Sequence, residues 1–272
     1  MMRQTFQMLL ATAIIAMLGN ISQAAMVTDY SGNNAHAESY GDVLNEGDLT
    51  KPLVFDGSGD YIATPGFSAA MSAGTVACWV SFSDSGSGGW DNTMFGNPNW
   101  VNGSSRTEIY NGGEIRSVMR SNTGERPDVG SGVTPVVGDW YHVALSFGAA
   151  SATAGKNLVT QVITDTAGNA TINTNEYTNT NTFDLSSFNF GGIEIEGRYL
   201  YGRMNDMRVY DEALSSGDIA LLADLNLTTN PSSTNLLAHY HPSVPEPGTA
   251  VLLISAILSA VIIRRRPRAS KE

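Results

Sequence analysis

Thr75-Val76-Ala77-Cys78-Trp79-Val80-Ser81-Phe82 alternates so that Val76, Cys78, Val80 and Phe82 share one face, the period-two signature of a strand on a buried face. Trp140-Tyr141-His142-Val143-Ala144-Leu145-Ser146-Phe147 repeats the pattern with Tyr141, Val143, Leu145 and Phe147. A third strand is predicted over 157–164, closed by the turn Asp165-Thr166-Ala167-Gly168-Asn169, and a fourth over 202–210. Shorter pieces fit at 53–55, 61–63 and 191–196. Many short strands divided by polar, Gly-rich turns predict a two-sheet sandwich. Helix signals are scarce: Ser215 caps a short helix, with Asp218 at the third position and Ile219, Leu222 and Leu225 on its apolar face. The Asn/Thr/Ser-rich stretches 173–182 and 228–235 read as exposed loop and linker, and 83–113 as a Gly/Asn-rich insertion.

Composition agrees with a turn-rich globular chain. Among 272 residues, 28 glycines without a Gly-x-x repeat exclude collagen, and 42% apolar content with 15% charge excludes a charge-driven disordered chain. The formal charge is −11. Setting aside the basic residues of the two ends, Arg3, Arg264, Arg265, Arg266, Arg268 and Lys271, together with Glu246 and Glu272, leaves nine basic and twenty-four acidic residues, a net of −15 for the body. Such a body repels polyanions, so nucleic acid is not an expected partner. Cys78 is the only cysteine, which excludes an intramolecular disulfide and a thiolate metal cluster; its strand makes it a small buried apolar residue.

The two ends predict where the chain goes. Arg3 precedes the apolar segment 8–18, and Ser22-Gln23-Ala24 supplies small residues, so residues 1–24 read as a secretory signal peptide cut after Ala24, with a retained signal anchor as the alternative. At the C-terminus, Pro245-Glu246-Pro247 precedes an uncharged apolar stretch, 248–263, and then the basic block 264–268. That stretch predicts a membrane-spanning helix whose basic end stays cytoplasmic and whose body lies outside. This tripartite tail, residues 244–268, resembles the PEP-CTERM sorting signal of exopolysaccharide-producing Gram-negative bacteria. The resemblance implies recognition by an exosortase, a membrane transpeptidase, with cleavage near the triplet and delivery to the cell surface, outer membrane or extracellular matrix after transient inner-membrane anchoring. A permanent C-terminal anchor is the alternative.

Five segments of the body, in order, resemble the concanavalin A-like, laminin G-type jelly roll. They are Asp29-Tyr30-Ser31-Gly32-Asn33-Asn34-Ala35-His36-Ala37, with Ala37 where the family has glycine; Phe55-Asp56-Gly57 within 53–62; the strand 75–80; Trp140-Tyr141-His142-Val143-Ala144; and 202–215, leading into the short helix. The resemblance implies an all-β sandwich of two antiparallel sheets over residues 25–227, with one short helix near 215–225, followed by a linker, 228–243, and the C-terminal transmembrane helix.

Candidate site residues follow. The family often carries Ca²⁺ on rim oxygens, and the acidic body suits a hard cation; the oxygen-rich candidates are Asp29, Asn33, Asp56, Asp60 and Asp206. Asp56 and Asp60 also serve as turn residues. Trp90, Trp100 and Tyr110 in the insertion are the candidate glycan-stacking rings, or rings that tuck back onto the sheet. His142 reads as a packed structural histidine. The family includes glycoside hydrolases, but their Glu-x-Asp-x-x-Glu strand is absent; the nearest approach, Glu194 and Glu196, has Tyr199 where a third carboxylate is required. The expectation is therefore an exported, non-catalytic module binding glycan or another matrix component, with a purely structural surface protein, or a glycosidase, as alternatives.

Overall fold

The computed structural model describes residues 25–41, 43, 52–84, 92–110, 113–223 and 234–240. In chain order the strands are β1 (Ala25–Val27), β2 (Ala37–Tyr40), β3 (Leu53–Asp56), β4 (Tyr61–Ala63), β5 (Gly74–Phe82), β6 (Thr93–Gly96), β7 (Ser105–Tyr110), β8 (Glu114–Met119) and β9 (Val129–Gly130). They continue as β10 (Trp140–Ala150), β11 (Lys156–Asp165), β12 (Ala170–Thr178), β13 (Asn189–Phe190), β14 (Gly192–Ile193), β15 (Arg198–Tyr199), β16 (Tyr201–Tyr210) and β17 (Leu236–Tyr240). Among the described residues one α-helix, α1 (Ser216–Leu222), lies between β16 and β17.

The strands form two large antiparallel sheets. One has the order β1-β2-β4-β13-β6-β7-β8-β9; the other runs β12-β11-β10-β5-β16-β17, with β3 beside the first half of β16. Val76, Cys78, Val80 and Phe82 of β5 and Tyr141, Val143, Leu145 and Phe147 of β10 join the core between the sheets, as their alternation predicts. All nine residues of β5 are buried because its other face is covered too: Ala77, Ala144 and Val162 lie under Leu214, Ile219 and Leu222. Helix α1 starts as predicted, with the Ser215 hydroxyl accepting the Asp218 amide at 3.1 Å. Between Phe147 and Ala149 the β10–β11 register shifts, and Gly148 takes this bulge with φ +105°. A Cβ there would stand 2.5 Å from Ala73 Cα, so only glycine fits.

Several expectations are corrected. Among the described residues no helix is long and apolar enough to cross a membrane, α1 having only seven residues. Among the described residues the all-β sandwich with one short helix therefore stands with no membrane-spanning helix, and the expected C-terminal transmembrane helix, membrane partner and inner-membrane anchoring find no support there. Residues 248–263, like the signal peptide 1–24, Trp90 and the sorting motif Pro245, Glu246 and Pro247, lie outside the described residues. The stretch 173–182, expected as loop, supplies most of β12, and the insertion 83–113 contains β6 and β7. β17 falls within the expected linker 228–243 and pairs with β16, so the sandwich extends to Tyr240. The predicted strand 191–196 is strand only at Gly192–Ile193, because Glu194–Glu196 turns as a single 3-10 helix closed by left-handed Gly197.

Candidate functional site

Alternation along β7 decides what the first sheet shows on its outer side. Ile109 joins the core and Thr107 bonds Ser117 at 2.8 Å between the sheets, so Arg106 and Glu108 occupy the opposite face. There the 3-10 turn and β15 bring Glu196 and Arg198 against them. Glu196 Oε2 accepts Arg106 Nη1 at 2.9 Å and Arg198 Nη2 at 2.8 Å, while Glu108 Oε2 meets Arg198 Nη1 at 3.1 Å and Arg106 Nε at 3.3 Å. Two guanidiniums and two carboxylates thus close a ring of charge. The Glu108 side chain is fully buried; burial raises its carboxyl pKa, and the Arg106 and Arg198 charges offset this only in part.

Beside this ring stands Trp100, half-buried, with Arg106 Cζ 4.5 Å and Arg126 Cζ 5.4 Å from its ring centroid. Arg126 and Arg116 both hold Asp128 Oδ2, at 2.9 and 2.8 Å. The two loops that present Trp100 and Arg126 are tied down from within. Asn97 donates Nδ2 to the Asp184 and Ser187 carbonyls at 2.7 and 2.8 Å and accepts the Ser105 amide at 2.7 Å, fixing the loop 97–104. Glu125 accepts the Thr178 amide at 2.9 Å, Asn181 Nδ2 at 2.7 Å and Lys156 Nζ at 3.2 Å, fixing the loop that carries Arg126. These bonds hold the ring and the cation in place before any ligand arrives. The cleft behind the loop, between Asn97, Val101 and Asp184, measures about 70 Å³, room for a few waters at most. A ligand at Trp100 therefore lies on the surface.

The other predicted site residues are dispersed. Trp100 lies against Arg106 near the start of β7, whereas Tyr110 ends that strand, four residues or about 14 Å further along. Glu194 accepts the Tyr61 hydroxyl at 3.0 Å, and Tyr61 stacks on Tyr40 with centroids 4.7 Å apart. Glu194 and Glu196, expected on one strand face, instead sit on the 3-10 turn with separate partners. A second groove, of about 610 Å³, is lined by Phe67, Met71, Leu236 and Leu237, with Asp211 as its one charged residue among the described residues.

The five calcium candidates do not converge. Asp29 Oδ1 accepts the Ser31 and His239 amides, each at 2.9 Å, and Oδ2 accepts the Ser31 hydroxyl at 2.7 Å and the Ala35 amide at 3.0 Å. Burial alone would raise this carboxyl, but those donors outweigh it and hold its pKa below the ordinary carboxylate range. Asp206 is held by Arg208 at 2.8 and 2.9 Å and by His239 Nε2 at 2.6 Å; against the effect of burial, these partners keep its carboxyl far below the usual range. Asn33 donates Nδ2 to the Leu236 carbonyl at 2.6 Å. Asp56 accepts the Ser58 amide at 2.7 Å and Asp60 the Asp56 amide at 2.8 Å, both as turn bonds. A Ca²⁺ ion at Asp29 or Asp206 would have to displace these protein donors, so the residues present do not fit one. Among the described residues no group of three or more His, Cys, Asp or Glu side chains is placed to hold a metal.

His142 is buried against Trp79, ring centroids 5.5 Å apart, and its Nδ1 has no hydrogen-bond partner. Burial pushes its pKa down to about 4, which keeps the ring neutral.

A sequence model described as the concanavalin A-like lectin/glucanases superfamily, of the laminin G group, matches residues 56–220. The match takes in more than half of the chain, and the chain belongs to this superfamily. No curated protein matches it in sequence. Among solved structures, the enzymatically active domain of tailspike protein 2 of bacteriophage CBA120 superposes with a TM-score of 0.54 at 16% identity, covering 82% of this chain and 34% of that one. The botulinum neurotoxin serotype D binding domain gives 0.51 at 16% identity, covering 75% and 50%. The binding domain of Paraclostridial Mosquitocidal Protein 1 gives 0.50 at 14% identity, covering 74% and 51%. At such identities the likeness establishes the fold alone. The chain spans about a third of the tailspike domain and about half of each toxin domain.

Proposed function

We propose that this domain is a non-catalytic module that binds glycan on the outer face of the first sheet, around Trp100. The observation that carries this reading is the half-buried indole on a tied loop, with the Arg106 and Arg126 guanidiniums against its ring. The part of the ring left uncovered offers a sugar an apolar contact. Membership of a superfamily of lectins and glucanases supports a saccharide ligand, while fold alone does not choose among its functions. Against glycoside hydrolysis stands the state of the nearest carboxylates. Glu108 and Glu196 share Arg106 and Arg198, whereas hydrolysis needs an acid and a base or nucleophile facing an open sugar site. Calcium has no part in this reading, since the candidate oxygens serve protein donors.

The test is binding of the full chain to a broad panel of glycans and matrix polysaccharides, with calcium and with chelator, while product release is followed in the same wells. Saturable binding without cleavage, unchanged by chelator and lost in Trp100→Ala, is the expected result. Cleavage would move the assignment to a hydrolase, and absence of binding to a structural surface protein. Export and processing at Pro245–Pro247 belong to the same proposal, and the mass of the mature C-terminus tests them.

A further inference from the structure

We propose that the saccharide bound at Trp100 is acidic, carrying a carboxylate that pairs with Arg126; this rests on the glycan-binding reading and deepens it. The body of the chain has only nine basic residues, yet Arg106, Arg116, Arg126 and Arg198 gather on this one face. Three of the four are held largely inside, with side-chain exposures of 8%, 18% and 16% for Arg106, Arg116 and Arg198, whereas Arg126 stands 50% exposed beside the indole. Among the described residues its ion-pair partner is Asp128, which also pairs with Arg116 through the same oxygen. A guanidinium has five N–H donors, and the exposed part of Arg126 presents donors to the space next to the ring.

The arrangement suits a pyranose that contacts the indole while its ring carboxylate reaches Arg126. A neutral sugar would use the aromatic contact and leave the cation solvated. The net charge of the body works against a polyanion at long range, but the Debye length is only about 8 Å at physiological ionic strength, so the local pairing at Arg126 has to outweigh a screened repulsion. Glu114 on β8 accepts the Gly132 amide at 2.9 Å, and Glu125, next to Arg126 in sequence, is taken up by Thr178, Asn181 and Lys156.

The experiment compares a polyuronate of defined length with the same polymer after reduction of its carboxylates to alcohols. Binding of each to the full chain is measured for wild type, Arg126→Gln and Trp100→Phe. Wild type should bind the polyuronate about tenfold or more tighter than the reduced polymer, the preference expected of one charge-assisted pair. Arg126→Gln, a change at an exposed position, should erase the preference while leaving the weaker binding to the reduced polymer in place. Trp100→Phe keeps a ring and should retain the preference. Equal binding of the two polymers by wild type, or a preference that survives Arg126→Gln, overturns the acidic-ligand inference and leaves the glycan reading standing. If neither polymer binds, the acidic-ligand inference falls, and the glycan reading falls only if the broad panel is silent as well.

Discussion

The Asp29 carboxylate accepts the backbone amide of His239 at 2.9 Å, joining positions 210 residues apart in sequence. With its three other donors it fastens the opening segment of the domain to the last strand. Asp29→Ala removes one acceptor group and strands several buried donors, so a loss of about 3 kcal/mol is expected in urea unfolding. The sign of the pH dependence follows from the lowered pKa. The stability Asp29 supplies is complete above its unfolded pKa of about 3.9 and is lost as pH falls through that value toward the folded one. Asp29→Ala should therefore lie below wild type at neutral pH, and the gap should narrow as pH falls below about 3.9.

His142 sets a separate acid limb. Its folded pKa is about 4 against 6.5 for the free side chain, so the unfolded chain takes up the proton first as pH falls. Stability is full above pH 6.5 and declines by about 3 kcal/mol between there and pH 4. In His142→Leu that decline should vanish, because leucine has no group to titrate in either state. Unfolding free energies at pH 7 and pH 4.5 check this, and an unchanged slope would refute it.

The ring of Arg106, Arg198, Glu108 and Glu196 should be strongly coupled. Arg198→Met leaves Glu108 buried with one guanidinium fewer and is expected to cost about 3 kcal/mol. Adding Glu108→Gln should restore much of that loss, since the uncompensated charge is gone. A double-mutant cycle measures the coupling, and simple additivity would mean that the ring is not a unit.

Gly148→Ala tests the bulge. The new Cβ meets Ala73 Cα and Cβ at 2.5 Å and the Ser72 carbonyl at 2.7 Å, in a left-handed conformation. Backbone cannot yield as a long side chain can, so about 3 kcal/mol or more is lost, and the melting temperature falls by roughly 10 °C. Gly155→Ala, with φ +75° and nothing within 4 Å, separates the conformational strain from the clash and should cost distinctly less.

The sandwich was readable where one face of a strand meets the core and the other does not. Val76 to Phe82 and Tyr141 to Phe147 alternate for that reason. β12 shows little apolar pattern because Asn173 and Asn175 face the other sheet with amides, bonding the Ser131 and Asp128 carbonyls at 3.1 and 2.9 Å, Tyr177 is its one side chain in the core, and most of the other positions are exposed. A strand attached by polar groups shows no apolar period. β17 is short and follows an Asn/Thr/Ser-rich stretch, so its Leu236, Ala238 and Tyr240 face was taken for linker. At the candidate site, Trp100 was identifiable by its ring alone. Arg106 and Glu108 were missed, although Arg-x-Glu followed by Ile109 carries a period-two signal of its own. Arg126, Arg198 and Glu196 come from distant segments, and nothing local in the sequence announces their meeting.

β16 takes β3 along its first half and β17 along its second; β17 and all of β3 but Asp56 lie outside the stretch 56–220 that defines the superfamily match. A chain delivered from its N-terminus onward cannot close this sheet until residue 240 has emerged. The Asp29 carboxylate waits for an amide made 210 residues later. Closure of so long a loop comes late and slows the final folding step. Folding of this domain should therefore be rate-limited by docking of its last strand, with the opening segment loose until then.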